Sequence, residues 1–550
     1  MKILKNIKYI IGTIAFVVLL NACDSYIEEE VFSAVTSENF ITEDNADQLV
    51  VGIYPLVRGI YKDYAYKFDG TDIFTSKGDV NSISAVNDYV GFEAPNSDGL
   101  WTSNYNIIAK ANTALNRYEN QINWSNGRLA EKAYGIAQAK ALRALAFFNL
   151  VQQYGGVVID LEEPQTIRED YARSTEEETF AQIIVDLEAA IPGLKEDPDT
   201  GRFSKRAAQH LLAEVYVTRA YTSFGTATDF TTAAGLAEQA IGSYDLRSQT
   251  FAQVFAYDNQ VNDEVLFAAQ WGSEGIPSDK VNNKHAMFMF SVVDLPGINR
   301  TTTPYGMSAG GPMPTPFFYS LFADNDSRED ATMHRAILAD GNEPGGPDNI
   351  VAGDTVVYFP KKALDVAKLT DRLNRYWVYQ PDQYLWGRPA DIPGVNYLYS
   401  KNTQLTNFPI FKKFDDEDFN ENTDGSRDTF IYRIAETHLI AAEAYLGAGN
   451  ASSAATHINR VRERATGVAN HYGSVTIDDI LNERALELAG ETNRWAVLKR
   501  TGKLKERIEK HNPHVVNHGA FDANKHLLRP IPQEELNLSP STMKQNPGYK

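Results

Sequence analysis

Apolar residues recur at helical spacing in three parts of the chain, each time as two segments in succession. Between Lys132 and Tyr154, the positions Ala137, Ala141, Leu145, Phe148 and Gln152 form one stripe. Leu142, Ala146 and Leu150 broaden it, and Gly155-Gly156 ends it. The next helix is expected to open at Ser174 as N-cap, with Glu177 as its capping-box partner and Phe180, Ile183, Ile184, Leu187 and Ile191 turned inward. The same pattern predicts a second pair over 204–221 and 229–244. A third pair is predicted over 429–446 and 451–465, broken by Gly447-Ala448-Gly449-Asn450.

Small-residue stripes (Ala207, Ala208, Ala213; Ala441, Ala442, Ala444) let neighbouring helices approach closely. Helix pairs of about 34 residues with such stripes look like tetratricopeptide repeats, and three of them would stack into one shared core. Between 248 and 427 the periodicity fades. Gly and Pro cluster there, as in Gly310-Gly311-Pro312 and Pro344-Gly345-Gly346-Pro347, and runs such as 264–269 and 355–359 read as strands. The expected fold is mostly α: a tetratricopeptide-like helical repeat scaffold with a loop-rich insertion containing short strands. Residues 36–550 are read as a single domain. Its helical blocks are 101–247 and 428–510, and its irregular regions are 62–100 and 248–427, where loops would carry a site.

The N-terminus changes the picture. Lys2, Lys5 and Lys8 precede an apolar run from Tyr9 to Leu20, then Leu20-Asn21-Ala22-Cys23. The run is shorter than the roughly 20 residues of a spanning helix and fits a secretory signal. Cys23 is the sole cysteine of the 550 residues, and Leu-x-Ala-Cys resembles a lipobox. The reading is a signal peptide over 1–22 and a lipid-bearing Cys23. A flexible acidic tether over 23–35 follows, whose Glu28-Glu29-Glu30 resembles a surface-export signal of some Gram-negative lipoproteins. The formal charge of −20 argues against a nucleic-acid partner and against an anionic-lipid face, so the membrane would be met through the anchor alone.

Motifs for bond chemistry are missing from the sequence: it has no Gly-rich phosphate loop, no H-E-x-x-H and no G-x-S-x-G. Neither a catalytic residue nor a cofactor is assigned. His511, His514 and His518 lie close enough in sequence to share a metal, but Pro513 interrupts a regular helix and no carboxylate adjoins them, so no metal is assigned. Asn420-x-Asn422-x-Asp424-Gly425 imitates an EF-hand start, yet its twelfth position is Ile431. The aromatic clusters are more informative, since flat rings stack on the apolar faces of sugars while Asn, Asp and Arg bind hydroxyls. They are Tyr61, Tyr64, Tyr66, Asp69 and Asp72 with Asn81, Asn87 and Tyr89; Trp271 with Phe288 and Phe290; Tyr305; and Tyr376, Trp377, Tyr379, Tyr384, Trp386, Tyr397 and Tyr399.

The helical blocks carry an ordered set of marks. They are Trp101-x3-Tyr105-x2-Ile108 leading to Asn112; Leu142-Arg143-Ala144-Leu145-Ala146-Phe147-Phe148; and Arg433-x-Ala435-Glu436-x2-Leu439 running into Ala442-Glu443-Ala444. Then come Ile458-Asn459-x-Val461-Arg462, Glu483-Arg484-x2-Glu487, Glu491-x2-Arg494-Trp495, Pro530-Ile531-Pro532 and Asn546-Pro547-Gly548-Tyr549. The set resembles the SusD/RagB family of surface glycan-binding lipoproteins, although Val497 stands where that family usually has Asp. Read from spacing alone, Glu483, Glu487, Glu491 and Arg494 share a helical face and could form an ion-pair ladder, and Arg433 could pair with Glu436.

The resemblance implies a non-catalytic lid on a SusC-like TonB-dependent transporter, anchored in the outer membrane and facing outward. It would capture an oligosaccharide or polysaccharide and deliver it through that channel. A peptide or glycopeptide cargo is the alternative, and a surface glycoside hydrolase a third. Tyr66, Asp72, Asn81 and Tyr89, with Trp271 and Tyr305, are the candidate ligand residues. Replacing Trp271 or Tyr305 by Ala is expected to weaken binding and spare stability.

Overall fold

The computed structural model describes residues 42–550 apart from 63–64, 78–82, 165–167, 199–200, 273–281, 290–296, 299–310, 342–349, 374–375, 384, 388–404 and 418–424. Cys23 and the segments on either side of it therefore lie outside the described residues.

The hairpins form where the periodicity puts them. Helix α1 (Gly99–Asn116) leads into α2 (Leu129–Tyr154) and α3 (Glu176–Ala190), then α4 (Lys205–Ala220) and α5 (Ala227–Ile241). After the insertion come α6 (Ile434–Gly447), α7 (Ala451–Thr466), α8 (Ile477–Leu488), α9 (Arg494–Arg500) and α10 (Leu504–His511). Successive hairpins pack side by side, α5 against α6, and bury one continuous apolar core. The α2 stripe is buried as its spacing requires. Arg143 ties the first three helices together, donating to Asp186 at 2.8 and 2.7 Å and to Asn112 at 2.8 Å.

Two boundaries differ from the sequence expectation. The cap of α3 is Thr175, which accepts from Glu178 N–H at 3.1 Å while Glu178 accepts from Thr175 N–H at 2.8 Å. Ser174-x2-Glu177 fits the same motif, but the Ser174 N–H is already held by the Val157 carbonyl at 2.9 Å, outside the helix. The second difference is at 429–433, where Thr-Phe-Ile-Tyr-Arg forms a strand and the helix starts only at Ile434. β-Branched and aromatic side chains favour that outcome once a partner strand is at hand.

Nine short strands occur among the described residues: β1 (Phe74–Ser76), β2 (Val265–Ala269), β3 (Pro312–Pro314), β4 (Ala336–Leu338), β5 (Thr355–Tyr358), β6 (Trp377–Val378), β7 (Leu385–Gly387), β8 (Leu405–Asn407) and β9 (Thr429–Arg433). They pair as β1–β3, β2–β9, β4–β5–β6 and β7–β8, all antiparallel except β5–β6. A phenylalanine-rich core that includes Phe68, Phe74, Phe288, Phe318, Phe411 and Phe414 seals the insertion against the helices.

The acidic marks of α8 do not form a ladder among themselves. The helix ends at Leu488, and Gly490 turns the chain at φ +77°, where a Cβ would come within 2.6 Å of Phe414. Glu491 and Arg494 thus leave the helical face. Glu483, Glu487 and Glu491 instead join Asp326 and Glu264 in a buried cluster with Arg328, Arg433, Arg462, Arg464 and Lys413. Arg433 reaches Glu491 at 2.6 Å rather than Glu436, which Arg484 takes. Burial alone would raise the Glu487 pKa, but Arg464, Arg433 and Arg328 outweigh it and hold the carboxyl well below its usual range. These charges come from the insertion, β9, α7 and α8, so the cluster fastens the loop-rich region to the helical scaffold.

Candidate functional site

The β1–β3 ribbon organises the face next to the irregular regions. Its register sets Phe74 opposite Pro314 and Ser76 opposite Pro312, so the chain leaving Ser76 and the chain entering Pro312 lie side by side at one end. At the other end Thr315 caps the short helix Pro316–Ser320, with Pro316 in its first turn. The Thr315 hydroxyl donates to the Asp72 carbonyl at 2.7 Å and fixes that helix against the start of the ribbon.

Asp72, expected on the ligand face, is instead fully buried. Arg494 donates to its two oxygens at 2.8 and 2.6 Å, and Arg507 adds a third bond at 2.6 Å. Burial pushes the carboxyl upward, but the two guanidinium groups prevail and bring it to about 2. Asp72 is therefore a structural anion holding α9 and α10 beneath the ribbon. Arg507 continues outward, donating to Asp478 at 2.8 Å and Asn482 at 2.6 Å. Its guanidinium lies 5.3 Å from the Phe317 ring centroid. Phe317 in turn stacks on His511, with centroids 3.6 Å apart and planes 19° from parallel. The pair borders an open groove of about 770 Å³ walled by Pro316, Pro513 and Val516 and edged by Ser320 and Lys510.

The other candidates divide. Tyr89 is buried with φ +63°, its hydroxyl donating to the Gly70 carbonyl at 2.8 Å and its ring meeting Phe521 edge-on at 4.9 Å. Tyr66 is half-buried, edge-on to Phe92 at 6.3 Å and beneath the Arg529 guanidinium at 5.1 Å. Tyr89 is thus a core residue, because its polar handle finds a backbone partner inside the protein. Asn81 and Tyr305 lie outside the described residues.

Trp271 keeps different company and is only 5 % exposed. Its indole N–H donates to Thr429 Oγ1 at 3.1 Å, its backbone N–H to Asp428 at 2.9 Å, and Arg58 lies 5.3 Å from its ring. Burial raises the Asp428 carboxyl to about 6, and Asp428 lines a separate polar cleft of about 840 Å³ beside β2 and the start of α4. Trp271 is a packing residue, contrary to its expected place on a ligand. In the densest aromatic cluster, Tyr376, Trp377 and Tyr379 are also buried around β5 and β6. Tyr384, Tyr397 and Tyr399 fall outside the described residues.

The three clustered histidines have separate partners. His511 stacks on Phe317, His514 Nδ1 is 2.7 Å from Thr75 Oγ1, and His518 Nε2 donates to Asp88 at 2.9 Å. Among the described residues no three His, Cys, Asp or Glu side chains are grouped to hold a metal ion. Phe317 was not singled out by sequence reasoning, and His511 was weighed only as a metal ligand. Their pairing across almost 200 residues leaves no local signal.

Two family models match the chain. One is described as the SusD family and covers residues 263–549; the other, described as starch-binding associating with outer membrane, covers 25–217. A SusD-like protein of Bacteroides ovatus is 27% identical over 509 residues, spanning 90% of this chain and 82% of its own. SusD-like protein P25 of Formosa agariphila is 23% identical over 96% of this chain and 97% of its own. Solved structures share the fold. A laminarin-binding SusD-like protein aligns with a TM-score of 0.64 at 23% identity, over 92% of this chain and all of that one. A SusD homolog from Bacteroides thetaiotaomicron aligns at 0.67 and 20% identity, over 92% and 97%. With ordered motifs in both helical blocks, a helical-repeat scaffold of this topology and a family model spanning more than half its length, the chain belongs to the SusD family.

Proposed function

We propose that this protein is a surface glycan-binding lipoprotein that captures oligosaccharides at the outer membrane and passes them, without bond chemistry, to a SusC-like TonB-dependent transporter. The observation that carries the reading is the match of both halves to SusD-type families, one of them described as starch-binding and associated with the outer membrane. The laminarin-binding relative supports the same ligand class. The lipid on Cys23 would act as a leash, keeping a helical lid beside its channel while letting it open. No helix among the described residues is long and apolar enough to cross a membrane, so attachment in this reading rests on the lipid.

Calorimetric titration of the mature protein against a broad glycan panel tests the ligand class. Binding to at least one glycan is expected; silence across the panel, or tighter binding to a peptide or glycopeptide, overturns it. Replacing Cys23 by Ala should release the protein from membranes into the soluble fraction. Co-purification with a TonB-dependent transporter from solubilised outer membranes tests the partner.

A further inference from the structure

We propose that the groove beside the β1–β3 ribbon is a sugar-ring subsite, in which the His511 ring, backed by the Phe317 ring stacked behind it, carries the apolar face of one hexose unit. The inference rests on the glycan reading above and adds a place and a mode of contact to it. Four observations lead there. The groove's walls are apolar and accessible: Val516 is 60 % exposed, and Pro316 lies open at the head of its helix. Its rim is polar, edged by Lys510, a donor, and by Ser320, whose hydroxyl donates to the Phe317 carbonyl at 2.7 Å and keeps its oxygen as an acceptor. Its volume of about 770 Å³ lies within the range of small-ligand sites, and it is open to solvent rather than enclosed, as a unit within a longer polymer requires.

The fourth observation is rigidity. Phe317 sits in a helix capped by Thr315 and bonded to the Asp72 carbonyl. His511 ends α10, whose Arg507 is held by Asp72, Asp478 and Asn482. Asn512 follows at once, fully buried, and its amide donates to the carbonyls of Thr71 at 3.0 Å and Phe74 at 3.2 Å. The two rings are thus set before any ligand arrives, and docking costs them little freedom. Burial, with Arg507 adding to it, holds the His511 imidazole down at about 4. At neutral pH the ring is uncharged, an aromatic surface rather than a cation. The same neighbours argue against a metal there, since His514 and His518 point to Thr75 and Asp88.

The test is titration of the mature full-length protein and its variants with laminarin, soluble starch and cellulose-, xylan- and mannan-derived oligosaccharides. For the best-bound glycan, His511→Ala should weaken binding about 5- to 10-fold, the scale of one aromatic stacking contact. Phe317→Ala should weaken binding as well, by removing the ring that backs His511. His511→Phe should restore affinity, because it returns the ring without the nitrogens, and thermal midpoints of both His511 variants should match wild type. Equal binding by wild type and His511→Ala overturns the subsite and leaves the glycan reading standing. A loss that His511→Phe does not restore, or that accompanies a fall in midpoint, overturns it too, since ring stacking is then not the cause. If wild type binds none of these glycans, the underlying reading fails and the subsite with it.

Discussion

A polar handle decides where an aromatic side chain settles. Trp271 and Tyr89 lie in stretches whose composition suits a ligand face, yet each finds a hydrogen-bond partner inside the protein, Thr429 Oγ1 for the indole and the Gly70 carbonyl for the phenol. With that bond made, the ring gains more from burial than from exposure. Trp271→Ala should therefore cost about 3–5 kcal/mol of stability through the cavity it leaves. The expected result is a clear drop in the urea midpoint; an unchanged midpoint with weakened glycan binding would return Trp271 to the ligand face.

A buried histidine pair behaves as a different kind of handle. His438 and His457 face each other with Nδ1 atoms 3.0 Å apart, and His457 Nε2 is 2.9 Å from Glu238. Burial, with His457 adding to it, lowers His438 to about 3. The folded protein then keeps His438 neutral while the unfolded chain takes up a proton below about 6.5. The folded state binds fewer protons, so stability falls as pH drops from about 6.5 toward 3. Urea titrations across that window should give a shallower loss for His438→Gln than for wild type, and identical slopes would refute the assignment.

At the scale of elements, what was legible in the sequence is what depends on near neighbours. The stripes of α2, α3 and α4 read out correctly because a helix face is a local pattern. The start of α6 did not, because Thr429–Arg433 becomes a strand only when β2, more than 150 residues earlier, pairs with it. The acid–base marks misled for the same reason. Spacings of three and four suggest pairing within a helix, whereas Arg433 is met by Glu264, Glu487 and Glu491 from three other segments. That cluster's worth lies in being complete. Arg433→Met would leave three carboxylates short of a cation in a site with almost no water access, a loss of about 3–5 kcal/mol. Chemical denaturation should show it, and restoring a guanidinium elsewhere should not substitute.

On the scale of the whole molecule, the two family matches meet between residues 217 and 263, which invites a division of the chain there. The contacts run across that line. β1 needs β3, Asp72 needs Arg494 and Arg507, and Arg529 N–H closes on the Gln153 carbonyl at the end of α2, at 2.7 Å. Asn546 then bonds the Tyr154 carbonyl at 3.0 Å, so the C-terminus returns to the first hairpin. A fragment of residues 42–262 would keep Asp72 as a carboxylate without its cations and lose the cover on the end of α2. A fragment of 263–550 would keep β3 without β1, and Arg494 and Arg507 without Asp72. Neither should fold alone, by far-UV circular dichroism or by resistance to limited proteolysis, and co-expression should recover both together. A fragment that melts cooperatively by itself would mean that these crossing bonds decorate two independent units rather than make one. Glycan capture bears on the same point. A ligand face whose floor comes from α10 and whose ribbon comes from residues 74–76 and 312–314 exists only when the chain has closed on itself, so binding should appear with the complete fold and not with either part.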